Sequence, residues 1–313
     1  MRVLVVIQAR TGSTRLPGKV LAPLAGRPAL ELMIARVRRT RWPVLVATSD
    51  LPQDDPVARL ALGAGCSVFR GSEQDVLGRF AAALAAHPAD IVVRLTADCP
   101  LIDPDLVVET VARLEQERAD YVGNSIIRSF PDGLDVEALR TEVLLTADRE
   151  AVRADEREHV TPFVYRHPER FFVRAILHDQ PLDWIRWTVD LPADLEFLDA
   201  LVTRSPDPVG ASWREFLRLP GAVRGRKPNG ARLRAALPGD LSTHGMDLFD
   251  VGARVLVLSS GEGVLGHGVL CVRAADASWE WGGPERWQEL AQRLLPAFLH
   301  GDPQVLSLHG TSL

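Results

Sequence analysis

The chain has 313 residues, of which 46% are hydrophobic and 25% charged, a composition typical of globular proteins with one large or two modest domains. The net charge of −5 argues against a general nucleic-acid binder, because such proteins are usually basic. Three scattered cysteines exclude a disulfide framework, and the early apolar run is too short to span a bilayer. We therefore expect a cytoplasmic protein that neither binds nucleic acid nor inserts into a membrane.

The first part of the chain alternates between strand-like and helix-like segments. Apolar runs and helical spacing predict, in order, strand 2–7, helix 28–39, strand 44–48, helix 55–63, strand 66–69, helix 73–86, strand 91–96 and helix 104–118. This alternation predicts a doubly wound, mostly parallel α/β sheet, in which ligands bind beyond the carboxyl ends of the strands. A less regular part follows, with predicted strands at 120–123, 134–139, 171–177 and 185–189 and helices at 156–166 and 192–203.

The composition changes near residue 220. Residues 220–230 are rich in glycine, proline and basic side chains, which predicts a linker. We therefore expect one domain over residues 1–222 and a small α+β accessory domain over 231–313, with strands at 254–259 and 267–272 and a helix at 284–300. No motif assigns a function to this second domain. It is interpreted as an accessory or oligomerisation module, and a homodimer is one arrangement that it allows.

The first predicted strand leads into a loop that carries three cations, Arg10, Arg15 and Lys19. The loop is not a P-loop, because five residues instead of four separate Gly12 from Gly18 and no serine or threonine follows the lysine. A glycine-containing turn after a parallel strand exposes backbone N–H groups, which together with cations suit a triphosphate. The alternative is a solvated basic loop without a ligand.

Two carboxylates follow apolar strands in the same way. Asp98 comes directly after the strand at 91–96, and Asp190 follows the strand at 185–189. Because strand ends of a parallel sheet meet at one edge, the two side chains can share one hard cation such as Mg²⁺. The alternative for each is a cap on the helix that follows it.

A second acidic group, Asp132, Asp135 and Glu137, is interpreted as binding acceptor hydroxyl groups or a second metal ion, or else as a solvent-facing edge. Positions 135 and 137 would point to one face of a strand. Arg157 and His159 are candidates for an acceptor carboxylate or phosphate, although His159 also suits a structural role. Asp75 and Arg79 are four residues apart on a predicted helix and would then pair with each other.

Six motifs resemble one family in the same order along the chain. They are IQARTGSTRLPGKVL, FRGSEQDVLGRF, RLTADCPLIDP, PDGLDVE, REHVTPFVYRHPERF and WTVDLPADLEF, and together they cover about the first 220 residues. They resemble the cytidylyltransferases that activate sugar acids, the group of the CMP-Kdo and CMP-sialate synthetases, and most closely the SpsF-type polysaccharide biosynthesis branch. The resemblance implies a Rossmann-like fold of the nucleotide-diphospho-sugar transferase type.

The resemblance also implies roles for individual residues. Contacts to the nucleotide are implied for the loop residues Ala9, Arg10, Gly12, Ser13, Arg15 and Lys19 and for Arg70 and Ser72. Asp98 and Asp190 would hold Mg²⁺, and Arg10, Lys19 and Asp98 would be the catalytic residues. Asp132, Asp135, Glu137, Arg157 and His159 would face the acceptor.

These observations predict a magnesium-dependent nucleotidyltransferase that uses CTP. An acceptor oxygen of a sugar acid or related compound would attack the α-phosphate, and pyrophosphate would leave. Two other classes stay open at this point. A glycosyltransferase would use a nucleotide-sugar and release a nucleoside diphosphate, and a nucleotide-binding protein without activity would release neither.

Overall fold

A computed structural model of the chain describes residues 1–179 and 182–224, together with the backbones of four strands between residues 232 and 282. The chain divides into two compact units, one formed by Met1–Ile176 and Ile185–Arg224 and the other by Leu177–Trp184 and Gly225–Leu313. The division after Arg224 falls inside the predicted linker. The domain boundaries given above stay a prediction. Within the described part of the chain, no helix is long and apolar enough to cross a membrane.

The strands of the first unit, in chain order, are β1 (Val3–Gln8), β2 (Pro23–Leu24), β3 (Arg27–Pro28), β4 (Val44–Ser49), β5 (Ser67–Gly71), β6 (Ile91–Thr96), β7 (Tyr121–Gly123), β8 (Glu137–Arg140) and β9 (Val173–Ala175). Its α-helices are α1 (Ala29–Val37), α2 (Asp55–Gly63), α3 (Val76–Ala86), α4 (Pro104–Gln116), α5 (Thr141–Glu150), α6 (Ala154–His159), α7 (Pro162–Arg166), α8 (Pro192–Arg204) and α9 (Trp213–Arg218). Short 3-10 helices cover Lys19–Leu21, Arg38–Thr40 and Pro52–Asp54.

Seven strands form the main sheet in the order β5-β4-β1-β6-β8-β7-β9. The pairs β5–β4, β4–β1, β1–β6 and β7–β9 are parallel, and β8 is antiparallel to both of its neighbours. The prediction of a doubly wound, mostly parallel sheet is therefore confirmed. Val3 to Ile7 of the central strand β1 are all buried, which is why this strand reads as a continuous apolar run.

The structure differs from the predicted elements at three places. The predicted helix 156–166 is two helices, because Val160 between them has φ 73° and Pro162 begins α7. The predicted strand 185–189 forms only an isolated bridge between Arg186 and Asp132. Helix α5 follows β8 directly and was not predicted.

The described part of the second unit is a four-stranded antiparallel sheet in the order β10-β11-β12-β13. Its strands are β10 (Arg232–Ala235), β11 (Ala253–Ser260), β12 (Gly263–Arg273) and β13 (Asp276–Gly282). The predicted strands 254–259 and 267–272 fall within β11 and β12. The predicted helix 284–300 lies outside the described residues.

Candidate functional site

The loop after β1 is held in place by hydrogen bonds within its own backbone and by Asp54, which lies in the 3-10 helix after β4. The N–H of Thr11 donates to Oδ1 of Asp54 at 2.7 Å, and the Thr11 carbonyl accepts from Ser13 and Gly18 at 2.8 and 2.9 Å. Gly18 has φ 72°, a left-handed conformation that glycine adopts without strain. A 3-10 helix starts at the next residue, Lys19, so this turn sets the direction in which Lys19 enters the site.

The Lys19 ammonium joins the two aspartates that follow apolar segments. Its Nζ lies 3.0 Å from Oδ2 of Asp98 and 2.8 Å from Oδ1 of Asp190. Only 11% of the Lys19 side chain is exposed. The backbone supports this arrangement, because the N–H of Val189 donates to the Asp98 carbonyl at 2.9 Å. The structure therefore brings three of the predicted site residues to one point at the carboxyl ends of β1 and β6.

Two arginines complete the surroundings of Asp190. Arg15 lies 3.0 Å from the same oxygen, Oδ1, that contacts Lys19. Arg186 donates from Nη2 to the other oxygen, Oδ2, at 2.6 Å. Each oxygen of this carboxylate therefore faces positive charge, and the two oxygens have different partners.

The shifted pKa values of Lys19 and Asp190 keep both side chains charged near neutral pH. Burial acts to lower the pKa of Lys19, but the charge of Asp98 and the hydrogen bonds to both aspartates outweigh it, so the pKa of Lys19 is raised. Burial acts to raise the pKa of Asp190, but Lys19 and then Arg186 outweigh it, so the pKa of Asp190 is lowered. The site is thus built around a stable ion pair.

Neither aspartate acts as the helix cap that the alternative interpretation required. Helix α4 is capped by Asp103, whose Oδ1 accepts from the N–H groups of Asp105 and Leu106. At the start of α8, Oδ2 of Asp194 accepts from the N–H groups of Asp190 and Leu191 at 3.1 and 3.0 Å. Because other carboxylates cap these helices, neither Asp98 nor Asp190 is needed as a helix cap.

The carboxylate oxygens of Asp98 and Asp190 are suitable ligands for magnesium. Two carboxylate oxygens already converge on one cation, Lys19, and hard oxygen donors are the ligands that Mg²⁺ prefers. Among the described residues, no group of three or more His, Cys, Asp and Glu side chains could hold a metal ion. A metal ion held by Asp98 and Asp190 would therefore complete its coordination with water and substrate phosphate oxygens.

The remaining nucleotide candidates differ in how far their polar groups are already used. The guanidinium of Arg10 lies 3.9 Å from Glu73 and 3.8 Å from Glu158, too far for hydrogen bonds, so it can accept a better anionic partner. The N–H of Ala9 is bonded to the Ala47 carbonyl at 3.1 Å. Gly12 packs against the Glu73 side chain. Phosphate binding by this loop stays a prediction, and Arg10 is the loop residue that suits this role best.

Arg70 and Ser72 are engaged within the protein. Arg70 donates to the carbonyls of Ser49 and Leu51 at 2.9 and 2.8 Å and pairs with Asp55 at 2.6 Å. The Ser72 hydroxyl accepts from the N–H of Asp75 at 3.0 Å. These contacts shape the loops after β4 and β5, and they leave Arg70 fewer free donors for a nucleotide than the prediction assumed.

Arg157 is already engaged in ion pairs with two aspartates. It forms a fork with Asp75, at 2.8 and 2.6 Å, and a further contact with Asp148 at 2.8 Å. It therefore ties α6 to the start of α3 and to α5. Among the described residues the side chains of Asp75 and Arg79 do not pair with each other, since the Arg79 guanidinium donates to the Ser72 carbonyl instead. His159 is exposed at the end of α6.

Asp132 and Asp135 form an ionic cluster with two arginines. Arg128 contacts Asp132 at 3.1 Å and Asp135 at 3.0 Å, and Arg186 contacts Asp132 at 3.1 Å. Because Arg186 also holds Asp190, alternating charges run without a break from Asp135 to the Lys19 ammonium. The predicted acceptor group is thereby connected to the predicted metal group.

Gly133 lies in the loop that carries Asp132 and Asp135, and the backbone of Trp187 passes too close to it for a larger residue. Gly133 has φ 110°, and a Cβ atom there would lie 2.6 Å from the carbonyl carbon of Trp187. The adjoining Asp132 exchanges backbone hydrogen bonds with Ile185 and Trp187 at 2.8 and 2.6 Å. Any larger residue at position 133 would push the loop away from the segment that ends at Asp190.

Glu137 is placed differently from the prediction. It is 5% exposed, and it accepts hydrogen bonds from Tyr121 and Thr161 at 2.7 and 2.6 Å and from Arg94. Burial acts to raise its pKa, but the charge of Arg94 and these hydrogen bonds hold the pKa below its usual value. A carboxylate with these partners stabilises the sheet between β6 and β8, which leaves it poorly placed to bind an acceptor.

Three residues of the site were not among the sequence candidates. Asp54 anchors the opening loop, Arg186 holds Asp190, and Arg128 holds the acidic cluster. A signal exists for Arg186, which interrupts an apolar run four residues before Asp190. For Asp54, which lies in a polar stretch, and for Arg128, whose neighbours show no regular pattern, the sequence offers no such signal.

Comparison with known proteins gives a consistent assignment. Residues 4–194 match the sequence profile of the Cytidylyltransferase family. The chain is 32% identical over 243 residues to the spore coat polysaccharide biosynthesis protein SpsF of Bacillus subtilis, covering 75% of this chain and 98% of that protein. It is 36% identical over 140 residues to a 3-deoxy-manno-octulosonate cytidylyltransferase of Geobacter sulfurreducens, covering 43% of this chain and 54% of that protein.

A solved structure agrees with the sequence matches. The fold superposes on a cytidylyltransferase of Leptospira borgpetersenii with a TM-score of 0.69 and 31% identity, covering 72% of this chain and 98% of that one. The family profile covers more than half of the chain, including the opening loop, Asp98 and Asp190. The chain therefore belongs to the cytidylyltransferase family, whose members are nucleotidyltransferases.

Proposed function

We propose that this protein transfers CMP from CTP to a hydroxyl group of a sugar acid or related acceptor. The acceptor hydroxyl oxygen forms a bond to the α-phosphorus and loses its proton to solvent, the bond from that phosphorus to the bridging oxygen of the β-phosphate breaks, and pyrophosphate leaves. The observation that carries the proposal is the convergence of Lys19, Asp98 and Asp190 at the ends of β1 and β6. Cation and carboxylates at this edge of the sheet suit a triphosphate and its metal ion.

The basic residues of the loop would hold the triphosphate. Among the described residues no carboxylate lies within hydrogen-bond distance of Arg10, and Arg15 is 60% exposed, so both can turn toward phosphate oxygens. Lys19 adds an ammonium group next to Asp98 and Asp190. These groups would stabilise the negative charge that moves onto pyrophosphate as the bond to the α-phosphorus breaks.

Asp98 and Asp190 would hold Mg²⁺. When bound there, the ion would supply charge neutralisation at the α-phosphate and orientation of the attacking oxygen. The protein itself would contribute position, since Arg186 orients Asp190 and the loop after β6 carries Asp98.

The acceptor would bind on the Asp132 and Asp135 side of the site. Arg128 and Arg186 contact these carboxylates and connect them to Asp190, so an acceptor at this side would lie next to the α-phosphate. The Bacillus subtilis relative is named for spore coat polysaccharide biosynthesis. By analogy, we infer that the activated product feeds polysaccharide or glycoconjugate synthesis in the cytoplasm.

The test is a screen for pyrophosphate release with each of the four nucleoside triphosphates against a panel of acceptors. The panel contains a 3-deoxy sugar acid, a simple hydroxy acid, a sugar phosphate and a phosphonate, and each reaction is run with and without Mg²⁺. The proposal predicts pyrophosphate release that requires both CTP and one acceptor class. Release of a nucleoside diphosphate from a nucleotide-sugar would indicate a glycosyltransferase, and CTP binding without turnover would indicate a binding protein.

A further inference from the structure

The Lys19 ammonium occupies the same carboxylate oxygens that are proposed to bind the metal ion. Its Nζ contacts Oδ2 of Asp98 and Oδ1 of Asp190 at once, at 3.0 and 2.8 Å. Two positive charges this close repel each other, and a divalent cation would need the same two oxygens as direct ligands, so the ammonium and the metal ion compete for them.

The alternative partner for Lys19 is the triphosphate. The lysine stem has four carbon atoms that rotate freely, and its ammonium is a compact charge that can exchange one anion for another. Arg15, which contacts Oδ1 of Asp190 at 3.0 Å, can make the same exchange. A bound triphosphate would thus draw positive charge away from the carboxylate pair.

Asp190 would keep its orientation during this exchange. Its second oxygen, Oδ2, is held by Arg186 at 2.6 Å, and Arg186 also contacts Asp132 at 3.1 Å. Movement of Lys19 would therefore free Oδ2 of Asp98, and movement of Lys19 together with Arg15 would free Oδ1 of Asp190, while Arg186 still holds the Asp190 carboxylate.

We propose that Lys19 holds the place of the metal ion in the nucleotide-free protein and leaves it when the triphosphate binds, so that metal ion and nucleotide bind cooperatively. The inference rests on the proposed function, because it takes Asp98 and Asp190 as the metal ligands. Cooperativity of this kind is reciprocal, so the nucleotide raises the affinity for the metal by the same factor as the metal raises that for the nucleotide.

The test measures Mn²⁺ binding to the nucleotide-free protein by the electron paramagnetic resonance signal of free Mn²⁺. Lys19→Met removes the ammonium and should tighten Mn²⁺ binding about tenfold if the carboxylates are free of Lys19 about one tenth of the time. Lys19→Arg keeps a cation between the carboxylates and should bind Mn²⁺ as weakly as the wild type. Circular dichroism verifies that each variant is folded.

Arg15→Met is the matched control for charge. It removes one cation from the same oxygen of Asp190 but leaves the Lys19 bridge in place. If removal of charge alone strengthened metal binding, Arg15→Met and Lys19→Met would tighten it equally, and the proposal would be overturned. A clearly larger gain for Lys19→Met than for Arg15→Met supports it, because Lys19 contacts both carboxylates and Arg15 contacts only Asp190.

A second measurement compares Mn²⁺ binding with and without nucleotide. The wild type should bind Mn²⁺ more tightly when a non-hydrolysable CTP analogue is present, after correction for Mn²⁺ bound by the free analogue, and Lys19→Met should lose most of this coupling. Equal affinities with and without the analogue would overturn the place-holding role. That role would also fail, with the metal site intact, if Lys19→Met bound Mn²⁺ like the wild type while Asp98→Asn abolished binding.

Failure of the proposed function itself has a separate signature. If neither Asp98→Asn nor Asp190→Asn changes Mn²⁺ binding in the presence of the analogue, the metal ion does not bind at these residues, and the proposed metal ligands are wrong together with the inference about Lys19.

Discussion

Arg186 donates to Oδ2 of Asp190 at 2.6 Å, while Oδ1 of the same carboxylate faces Lys19. The arginine therefore decides which way the carboxylate points. It also contacts Asp132, at 3.1 Å.

Arg186→Gln should lower kcat/KM for CTP by about 10²-fold, since a misplaced catalytic group of this kind costs that order of magnitude. The half-saturating Mg²⁺ concentration should rise in parallel, which a purely structural contact would not cause. Arg186→Lys should restore part of the loss because it keeps the charge. Arg224→Gln is the matched control, since Arg224 pairs with Asp194 at 3.1 Å without touching Asp190. Equal effects of the two Gln variants would contradict the role of Arg186.

Asp98→Asn and Asp190→Asn should each abolish most turnover and leave the fold intact. Each variant removes a charged oxygen ligand from a site that must neutralise phosphate. Pyrophosphate release at limiting Mg²⁺ is the measurement, with Asp105→Asn, an exposed carboxylate in the first turn of α4, as the control. Turnover close to wild type in both site variants would show that the metal ion binds elsewhere.

The cations of the opening loop provide a third prediction. Lys19→Ala should weaken CTP affinity and lower the rate by roughly 10²–10³-fold, as expected when a preorganised donor to the transition state is lost. Arg10→Lys should also impair turnover, because an ammonium cannot replace a two-pronged guanidinium. Steady-state kinetics and calorimetric CTP titration measure both effects. If neither variant differs from the wild type, the loop is a solvated basic loop and does not bind the nucleotide.

Glu137→Gln should lower the free energy of unfolding at pH 7 by about 3–5 kcal/mol, because it leaves the Arg94 guanidinium without its buried counter-charge. The pKa of Glu137 is lowered in the folded protein, so its contribution is present above the unfolded pKa of about 4.3 and is lost as the pH falls through the folded pKa. The difference between wild type and variant should therefore shrink only in acid.

Urea unfolding across pH measures this difference. Glu150→Gln is the matched control, because Glu150 pairs with Arg170 at 2.7 Å on the surface and should contribute little. A Glu137→Gln penalty that stays constant down to the lowest accessible pH would contradict the assignment of a charged Glu137.

A chain that ends after Arg224 should fold and bind CTP in the presence of Mg²⁺. All six family-like motifs lie before this point, and the first unit has a size sufficient for its own core. Two contacts show why the end must not lie earlier: the fully buried Trp187 donates to the Ala222 carbonyl at 2.9 Å, and Arg224 pairs with Asp194.

A chain that ends after Pro220 loses both contacts and serves as the comparison, with a lower unfolding temperature expected. Calorimetric CTP titration and size-exclusion chromatography of the two truncated chains are the measurements. They also test whether the second unit supports a homodimer. An insoluble or CTP-blind chain ending after Arg224 would show that the catalytic fold needs residues beyond it.

The fold was predictable wherever burial left a strong pattern. Strand β1 is buried and appears as an unbroken apolar run, β4 begins and β6 largely consists of apolar residues, and the chain order of strands and helices then implies a parallel sheet. The pair Asp98 and Asp190 was predictable for the same reason, since each follows a largely apolar run. Helix α5 was missed, and the predicted strand 134–139 overlaps only the shorter β8, whose antiparallel direction depends on neighbours that are distant in sequence.

Side-chain partners were not predictable. Glu137 has the alternation of a strand residue, but its burial depends on Tyr121, Thr161 and Arg94, which come from three other elements. The break between α6 and α7 at Val160 was not predictable from the sequence either, because a β-branched residue is not expected at positive φ. Local patterns report which face is apolar, and they do not report which distant group satisfies a buried charge.

The bridge made by Lys19 spans long distances along the chain, 79 residues to Asp98 and 171 residues to Asp190. During synthesis the opening loop emerges first and Asp190 emerges almost at the end of the first unit. A growing chain thus exposes basic groups long before the carboxylate that pairs with them is available. If nucleotide and metal bind as proposed, they would stabilise only the finished unit, so ligand binding would act as a late check on complete folding and could not guide its early steps.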